Sequence, residues 1–462
     1  MIFSSLTFLL IFLPVTLLLY YIVPKRAKNF ILLLCSLIFY AWGEPIYILL
    51  MLYSILLNYA CGRLMDKYEQ AKKQILVFGI TLNLFMLGFF KYAGFLTESF
   101  NRIGENFGIA IPVREIALPI GISFYTFQAL SYLIDLYRGK FPVQKSFIRF
   151  ALYITMFPQL IAGPIVRYES IAEELIHRQH SLEKFGKGAV VFIEGLAMKV
   201  LLANQIGLMA DELRAMAGSL STTSAWLSTL AYFFQIYFDF AGYSTMAIGL
   251  GYMLGFTFCK NFDHPYLSTS ITEFWRRWHM SLGTWFREYV YIPLGGNRVS
   301  TIAHIRNILV VWILTGLWHG AAWNFVLWGL YYGLLLLFEK YLFSKIKLPK
   351  FFGWLYTTAL VLIGWVLFSS ESLPQCFSIL GAMFGAASSL FDQTALYYLT
   401  TGGIILALCA LCATPILGYL RDRLLRSFLG RTLVGIVYIG LLAVSVLFLV
   451  VQNYNPFLYF RF

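Results

Sequence analysis

The chain has 462 residues, of which 60% are hydrophobic, 18% aromatic and only 12% charged, with a formal net charge of +13. A mean hydropathy of +0.73 excludes an ordinary soluble globule. In a soluble protein the surplus of cations would suggest nucleic acid; here the cations sit in loops between apolar runs, where anionic lipid head groups account for most of them and no nucleic-acid partner is expected.

In chain order, the first apolar run, Ile2 to Val23, has no basic segment before it and exceeds the length of a signal-peptide core, so it is expected as a retained span. Further single crossings are expected near 29–42, 45–61, 75–90, 116–137, 188–210, 226–256, 352–369, 399–420 and 432–452. All of the 35 Lys and Arg except Lys91, Arg102, Arg114, Lys199, Arg214 and Arg461 fall in the loops 24–28, 62–74, 138–188, 257–306, 339–350 and 421–431. By the positive-inside rule those loops face the cytoplasm, and both termini are expected outside a bacterial cytoplasmic membrane. The outward stretches 96–115 and 370–398 carry nothing specific.

Two apolar stretches do not fit single crossings. Residues 150–166 are flanked by basic loops and broken by Pro158 and Gly163-Pro164, which predicts a re-entrant or interfacial element. Residues 307–338 are too long for one span and short for two, which predicts a dip and return with the turn near Gly316 to Gly320. That turn lies in Thr315-Gly-Leu-Trp-His-Gly-Ala-Ala-Trp-Asn324 and carries His319. Irregular backbone and an ionisable group at membrane depth demand surrounding protein or a hydrated cavity. An imidazole there suits a general base that takes a proton from a hydroxyl and returns it to a leaving group. Trp318, Trp323 and Asn324 are expected to line the cavity, with the Asn324 amide fixing the imidazole or polarising a carbonyl.

Upstream, Ser270-Ile-Thr-Glu273 reads as a capping box that opens a helix. If that helix runs on, Phe274, Trp278, Leu282, Trp285 and Tyr289 form one arc and Glu273, Arg276, Arg277, Arg287 and Glu288 the other, as in a helix lying along the cytoplasmic interface. His279 falls at the border, able to face the cavity. The arginines, with Trp275 among them, either reach lipid phosphates or hold an anionic donor such as the phosphates of coenzyme A. Asp239, mid-span, needs a partner; it orients a catalytic group or pairs with a bundle arginine. Glu194 and Lys199 are candidate partners through an intervening turn, although a spacing of five is poor for a direct pair. Gly249, Gly251 and Gly255 read as small-residue helix contacts. Cys409 and Cys412 have metal-pair spacing but no companions, so packing is expected. There is no Walker motif, no zinc-ligand spacing and no inverted repeat.

Several strings occur together: Leu118-Pro-Ile-Gly-Ile-Ser-Phe-Tyr-Thr-Phe-Gln128, Phe157-Pro-Gln-Leu-Ile-Ala-Gly-Pro164, Phe238-Asp-Phe-Ala-Gly-Tyr-Ser244, Glu273-Phe-Trp-Arg-Arg-Trp-His279, Tyr291-Ile-Pro-Leu-Gly-Gly-Asn297, Gly316-Leu-Trp-His-Gly320 and Tyr454-Asn-Pro-Phe-Leu-Tyr-Phe460. Over nearly its whole length the chain thus resembles the membrane-bound O-acyltransferase superfamily, and within it the bacterial alginate O-acetyltransferase branch. The resemblance implies one all-α integral-membrane domain over 1–462, with about 10–12 transmembrane helices plus re-entrant or interfacial helices around a central tunnel. It implies that His319 is the active-site histidine and that His279 matches a second, more variable polar position. It implies acetyl-CoA as co-substrate with no tightly bound cofactor, the donor entering from the cytoplasm and the acceptor outside, where a polysaccharide or a surface transferase takes the acyl group. Two positions depart from the branch: Thr245 and Glu288 stand where it usually carries Asp. Two alternatives stay open at this point, a teichoic-acid D-alanyltransferase-like enzyme using a carrier-protein thioester and, from another class, a saccharide transporter or flippase.

Overall fold

The computed structural model describes residues 1–108, 111–112, 116–343 and 348–458. Arg114, Lys345, Lys347 and Arg461, counted above among the cations, and Tyr459 and Phe460 of the closing string lie outside the described residues. Among the described residues all regular structure is helical. Among the described residues seven helices are long and apolar enough to cross a membrane: Ile48–Lys67, Glu69–Phe107, Leu182–Ala215, Thr301–His319, Lys350–Ser369, Gln393–Cys412 and Phe428–Val451. Three further apolar helices, Phe8–Ile22, Lys28–Gly43 and Leu373–Ala386, are shorter.

Several expected spans shift their bounds. The run at 75–90 is the middle of a 33-residue helix, Lys72–Gly104. The one at 116–137 begins only at Ile122, after Gly121 turns the chain at φ 76°. The expected span 399–420 breaks between Cys412 and Ile416, since Pro415 closes the turn between two helices.

Backbone packing groups the chain into two units, Met1–Ala189 with Ala247–Cys259, and Val190–Met246 with Lys260–Phe462. In the first, every residue from 150 to 166 is buried. The helix Phe147–Thr155 stops at Met156, whose ψ of 109° leaves helical space, and one turn, Phe157–Leu160, follows. The Ser36 hydroxyl accepts from the Phe157 N–H at 3.2 Å and the Gln159 side chain donates to the Tyr153 carbonyl at 2.6 Å. The element is therefore enclosed by protein rather than interfacial, which is how irregular backbone survives at depth. In the same unit Asp135 is paired with Lys140 at 3.1 Å and Arg138 at 3.6 Å, as its place at a helix end suggests.

The second unit holds every residue considered for chemistry. Its central feature is a hairpin of two helices, Thr301–His319 and Trp323–Tyr341, joined through Gly320, Ala321 and Ala322. The chain reverses where expected, at the end of the Gly316–Gly320 string, but the first arm, Thr301–His319, is by itself long and apolar enough to cross a membrane, so the helix lengths do not require a dip short of a crossing. The helices approach through facing small residues: a Cβ on Gly316 would lie 2.2 Å from the Phe325 carbonyl oxygen, and one on Gly329 would lie 2.3 Å from that of Trp312.

Candidate active site

His319 is the last residue of the first hairpin helix, so the backbone departs from helical geometry immediately after it, at Gly320. A Cβ at Gly320 would lie 2.1 Å from the Phe325 ring, which is why only glycine lets the chain turn there. The imidazole is 9% exposed and edge-on to Trp328 and Phe368, at ring separations of 5.1 and 5.2 Å. It opens onto a small cavity whose wall includes Asp239, Phe240, Trp278, Trp328, Trp365 and Phe368. Phe457 and Leu458, near the C-terminus, complete that wall. Apart from the histidine and Asp239, these lining residues are apolar.

Asp239 does not use an arginine. Its carboxylate accepts from Lys199 at 2.6 Å and from the Leu458 N–H at 2.9 Å. Lys199 also donates to Asn204 Oδ1 at 2.7 Å and to the Pro456 carbonyl. A buried ion pair thus fixes the C-terminal segment against the cavity. The expectation of a Glu194–Lys199 pair is corrected: five residues place two side chains ~140° apart on a helix, and Lys199 is taken up by Asp239. Glu194 instead binds Arg421 at 2.5 Å and the Tyr438 hydroxyl.

The expected helix from Ser270 to Tyr289 is two helices, Ile271–Arg277 and Met280–Phe286. Its start is as read: the Ser270 hydroxyl accepts from the Glu273 N–H at 3.0 Å, while the Glu273 carboxylate takes the Thr269 N–H and hydroxyl. The break at Trp278–His279 comes from the preceding loop. Asp263 N–H donates to the Arg277 carbonyl and Met280 N–H to the Asn261 carbonyl, both at 2.9 Å, so that loop ends one helix and begins the next. His279 is left at φ 44°, ψ 53°, left-handed geometry that is uncommon outside glycine. The apolar arc expected to meet lipid faces protein: Phe274, Trp278, Leu282, Trp285 and Tyr289 are all buried.

His279 is 2% exposed and edge-on to Phe240 at 4.7 Å and to Trp318 at 5.8 Å. Because Trp318 also packs on His319, at 5.0 Å, both histidines lie against the same indole. His279 Nδ1 is 3.2 Å from Asn261 Oδ1. Burial pushes its imidazolium well below the usual histidine range, so the ring is neutral at physiological pH.

The proposed donor-binding residues are dispersed. Arg276 and Arg287 are exposed. Arg277 is engaged by Glu273 at 2.8 Å and by the Asp263 carbonyl. Trp275 is packed among Trp312, Trp328 and Tyr332 at ring separations of 4.7 to 5.4 Å, a hairpin contact rather than a ligand surface. Of the expected cavity residues, Trp318 is buried behind the wall, and Trp323 is 48% exposed and outside the lining. Asn324 donates to the Ser370 carbonyl at 2.9 Å, which ties the hairpin to the end of Lys350–Ser369. Sequence reasoning did not assign roles to Lys199 as partner of Asp239, to Asn261 or to Phe457 and Leu458. Only the last two carried a signal, inside the closing Tyr454–Phe460 string.

The family model for MBOAT, the membrane-bound O-acyltransferase family, matches residues 138–370, a stretch that contains Asp239, Asn261, His279 and His319. The chain is 38% identical to the probable alginate O-acetylase AlgI of Azotobacter vinelandii, covering 100% of both chains. It is 35% identical to the peptidoglycan O-acetyltransferase of Helicobacter pylori, over 83% of this chain and 80% of that one. To the teichoic acid D-alanyltransferase of Streptococcus thermophilus it is 31% identical, over 46% of this chain and 55% of the other.

Proposed function

This chain belongs to the membrane-bound O-acyltransferase family, a premise that makes it a multi-pass membrane acyltransferase, and from it we propose that it moves an acetyl group from acetyl-CoA at the cytoplasmic side to a hydroxyl of an extracytoplasmic polysaccharide or of a surface transferase that serves one. The observation that carries this reading is His319 at a helix end, opening onto a small, mostly apolar cavity. In the proposed step, His319 takes the proton of the acceptor hydroxyl as its oxygen attacks the thioester carbonyl carbon. The carbon–sulfur bond breaks, and the imidazolium returns the proton to the departing thiolate. Trp328, Trp365 and Phe368 keep water, the competing nucleophile, from the thioester. Arg276, before His279, and Arg287, after it, are exposed and available to the anionic end of the donor.

Relatives named for alginate and for peptidoglycan O-acetylation support an acetyl group and a polysaccharide destination. Family membership displaces the transporter alternative. A carrier-protein thioester is the second reading, favoured by similarity to a D-alanyltransferase, although that match covers less than half of this chain. The test uses purified protein in lipid with radiolabelled acetyl-CoA. Wild type is expected to release CoA, and His319→Ala to lose about 10²–10⁴-fold in rate while remaining folded in the membrane. No release by wild type, with polymer and membranes supplied, combined with turnover of a carrier-protein thioester, overturns the choice of donor. Equal rates in the two proteins overturn the role of His319.

A further inference from the structure

Resting on that reading of the site, we propose that Asn261 is a positioning residue: it holds His279 in the tautomer with hydrogen on Nδ1, so that Nε2 offers a lone pair to a substrate hydroxyl.

Three donors converge on one oxygen. Asn261 Oδ1 lies 3.2 Å from the Ser281 N–H, 2.9 Å from the Ser281 hydroxyl and 3.2 Å from His279 Nδ1. The backbone N–H of Ser281 has a hydrogen to give and nothing to accept with, so the amide atom facing it is the oxygen and the orientation of the Asn261 side chain is decided. A carbonyl oxygen in turn accepts only, so His279 Nδ1 carries the hydrogen. In a neutral imidazole that leaves Nε2 unprotonated. Nε2 is buried and has no hydrogen-bond partner among the described residues, and the same holds for Asn261 Nδ2.

A buried acceptor and a buried donor left unused beside each other cost stability that an apolar pair would not. The backbone adds a second cost, since His279 is held at φ 44° by the loop that carries Asn261. Packing alone explains neither. The imidazole lies against Phe240, a residue of the cavity wall, and against Trp318, the residue before His319. Contrary to expectation, His279 is not itself part of the cavity lining but stands one ring behind it, and in the proposal the partner of Nε2 is a ligand atom that donates a hydrogen, which in an acyl transfer is the acceptor's hydroxyl. Charged and titratable groups on the surrounding elements are Asp239 on the helix of Phe240, Asp263 on the loop, Arg277 two residues before His279, and His319 beyond Trp318.

Two measurements test this. The first needs no activity: the ring nitrogens of His279 in the ¹⁵N-histidine-labelled full-length protein, identified among the six histidines by their loss in His279→Gln. The expected pattern at neutral pH is protonated Nδ1 and unprotonated Nε2; the reverse tautomer, or an imidazolium, overturns the proposal. The second is the pH titration of the same ring signals in Asn261→Asp, which keeps the oxygen but sets a carboxylate against Nδ1–H. The added negative charge favours the imidazolium, so the His279 imidazolium is expected to appear at a pH higher than in wild type by about one unit or more. Ser281→Ala, which removes one bond to the same oxygen, leaves that titration in place. An unmoved titration in Asn261→Asp overturns this proposal alone. A wild type inactive with every thioester overturns the acyltransferase reading of the site and leaves the nitrogen signals to decide the tautomer.

Discussion

Lys199 and Asp239 are 40 residues apart in sequence, 2% exposed at most, and 2.6 Å apart in space. Removing one partner of such a pair strands the other charge away from water, which costs far more than the pair contributes. Lys199→Met is expected to destabilise the protein by about 3–5 kcal/mol, read as a lower unfolding midpoint in detergent. Adding Asp239→Asn should recover much of that loss, because no charge is then left alone. A double variant no more stable than Lys199→Met would mean that the pair acts through its hold on Pro456 and Leu458 and not through its charge. At this scale Asp239 announced itself as a carboxylate in an apolar run, and its need for a partner was legible. The partner's identity was not, since Lys199 lies on a different helix, 40 residues away in the chain.

The hairpin Thr301–His319 and Trp323–Tyr341 places the site by backbone proximity. Gly316 on the first helix meets Gly329 on the second, and Gly333, four residues further, continues the same face. Gly316→Val puts a branched side chain where even a Cβ meets the Phe325 carbonyl. It is expected to spread the helices at the His319 end and lower kcat about 10²-fold, as misplacements near 1 Å do, with the protein still inserted. Gly403→Ala, in the helix Gln393–Cys412 with open space around it, serves as the comparison; it should leave the rate unchanged and raise stability by about 0.4–1 kcal/mol. The periodicity from Ser270 to Tyr289 had the right buried arc but the wrong continuity. A helical repeat in sequence registers which residues share a face; it does not register that residues 261–263 intrude and cap both sides of a break.

Over the whole molecule, the distribution of Lys and Arg carries the orientation. A cysteine placed at Arg423, in a background with the exposed Cys259 replaced, is expected to react with a membrane-impermeant maleimide only after permeabilisation, whereas one at Glu105 should react in intact cells. The opposite pattern would invert the topology and place the donor on the other side. The sequence by itself determined the all-helical, membrane-spanning class, the reversal of the chain near Gly320 and the conspicuousness of His319. It did so because lipid leaves the backbone no hydrogen-bond partners, which makes long apolar runs helical and makes an ionisable group among them conspicuous. Hydropathy could not separate lipid-facing from buried helices: Phe428–Val451 has only 6% of its apolar window inside the protein, while the expected span at 226–256 is a helix, Thr222–Met253, buried along most of its length. Only the tertiary structure decided that Asp239 meets Lys199, that Asn261 meets His279, and that Phe457 and Leu458 close the wall around His319. Each of these depends on contacts between segments far apart in the chain, and no local pattern of residues encodes where distant segments meet.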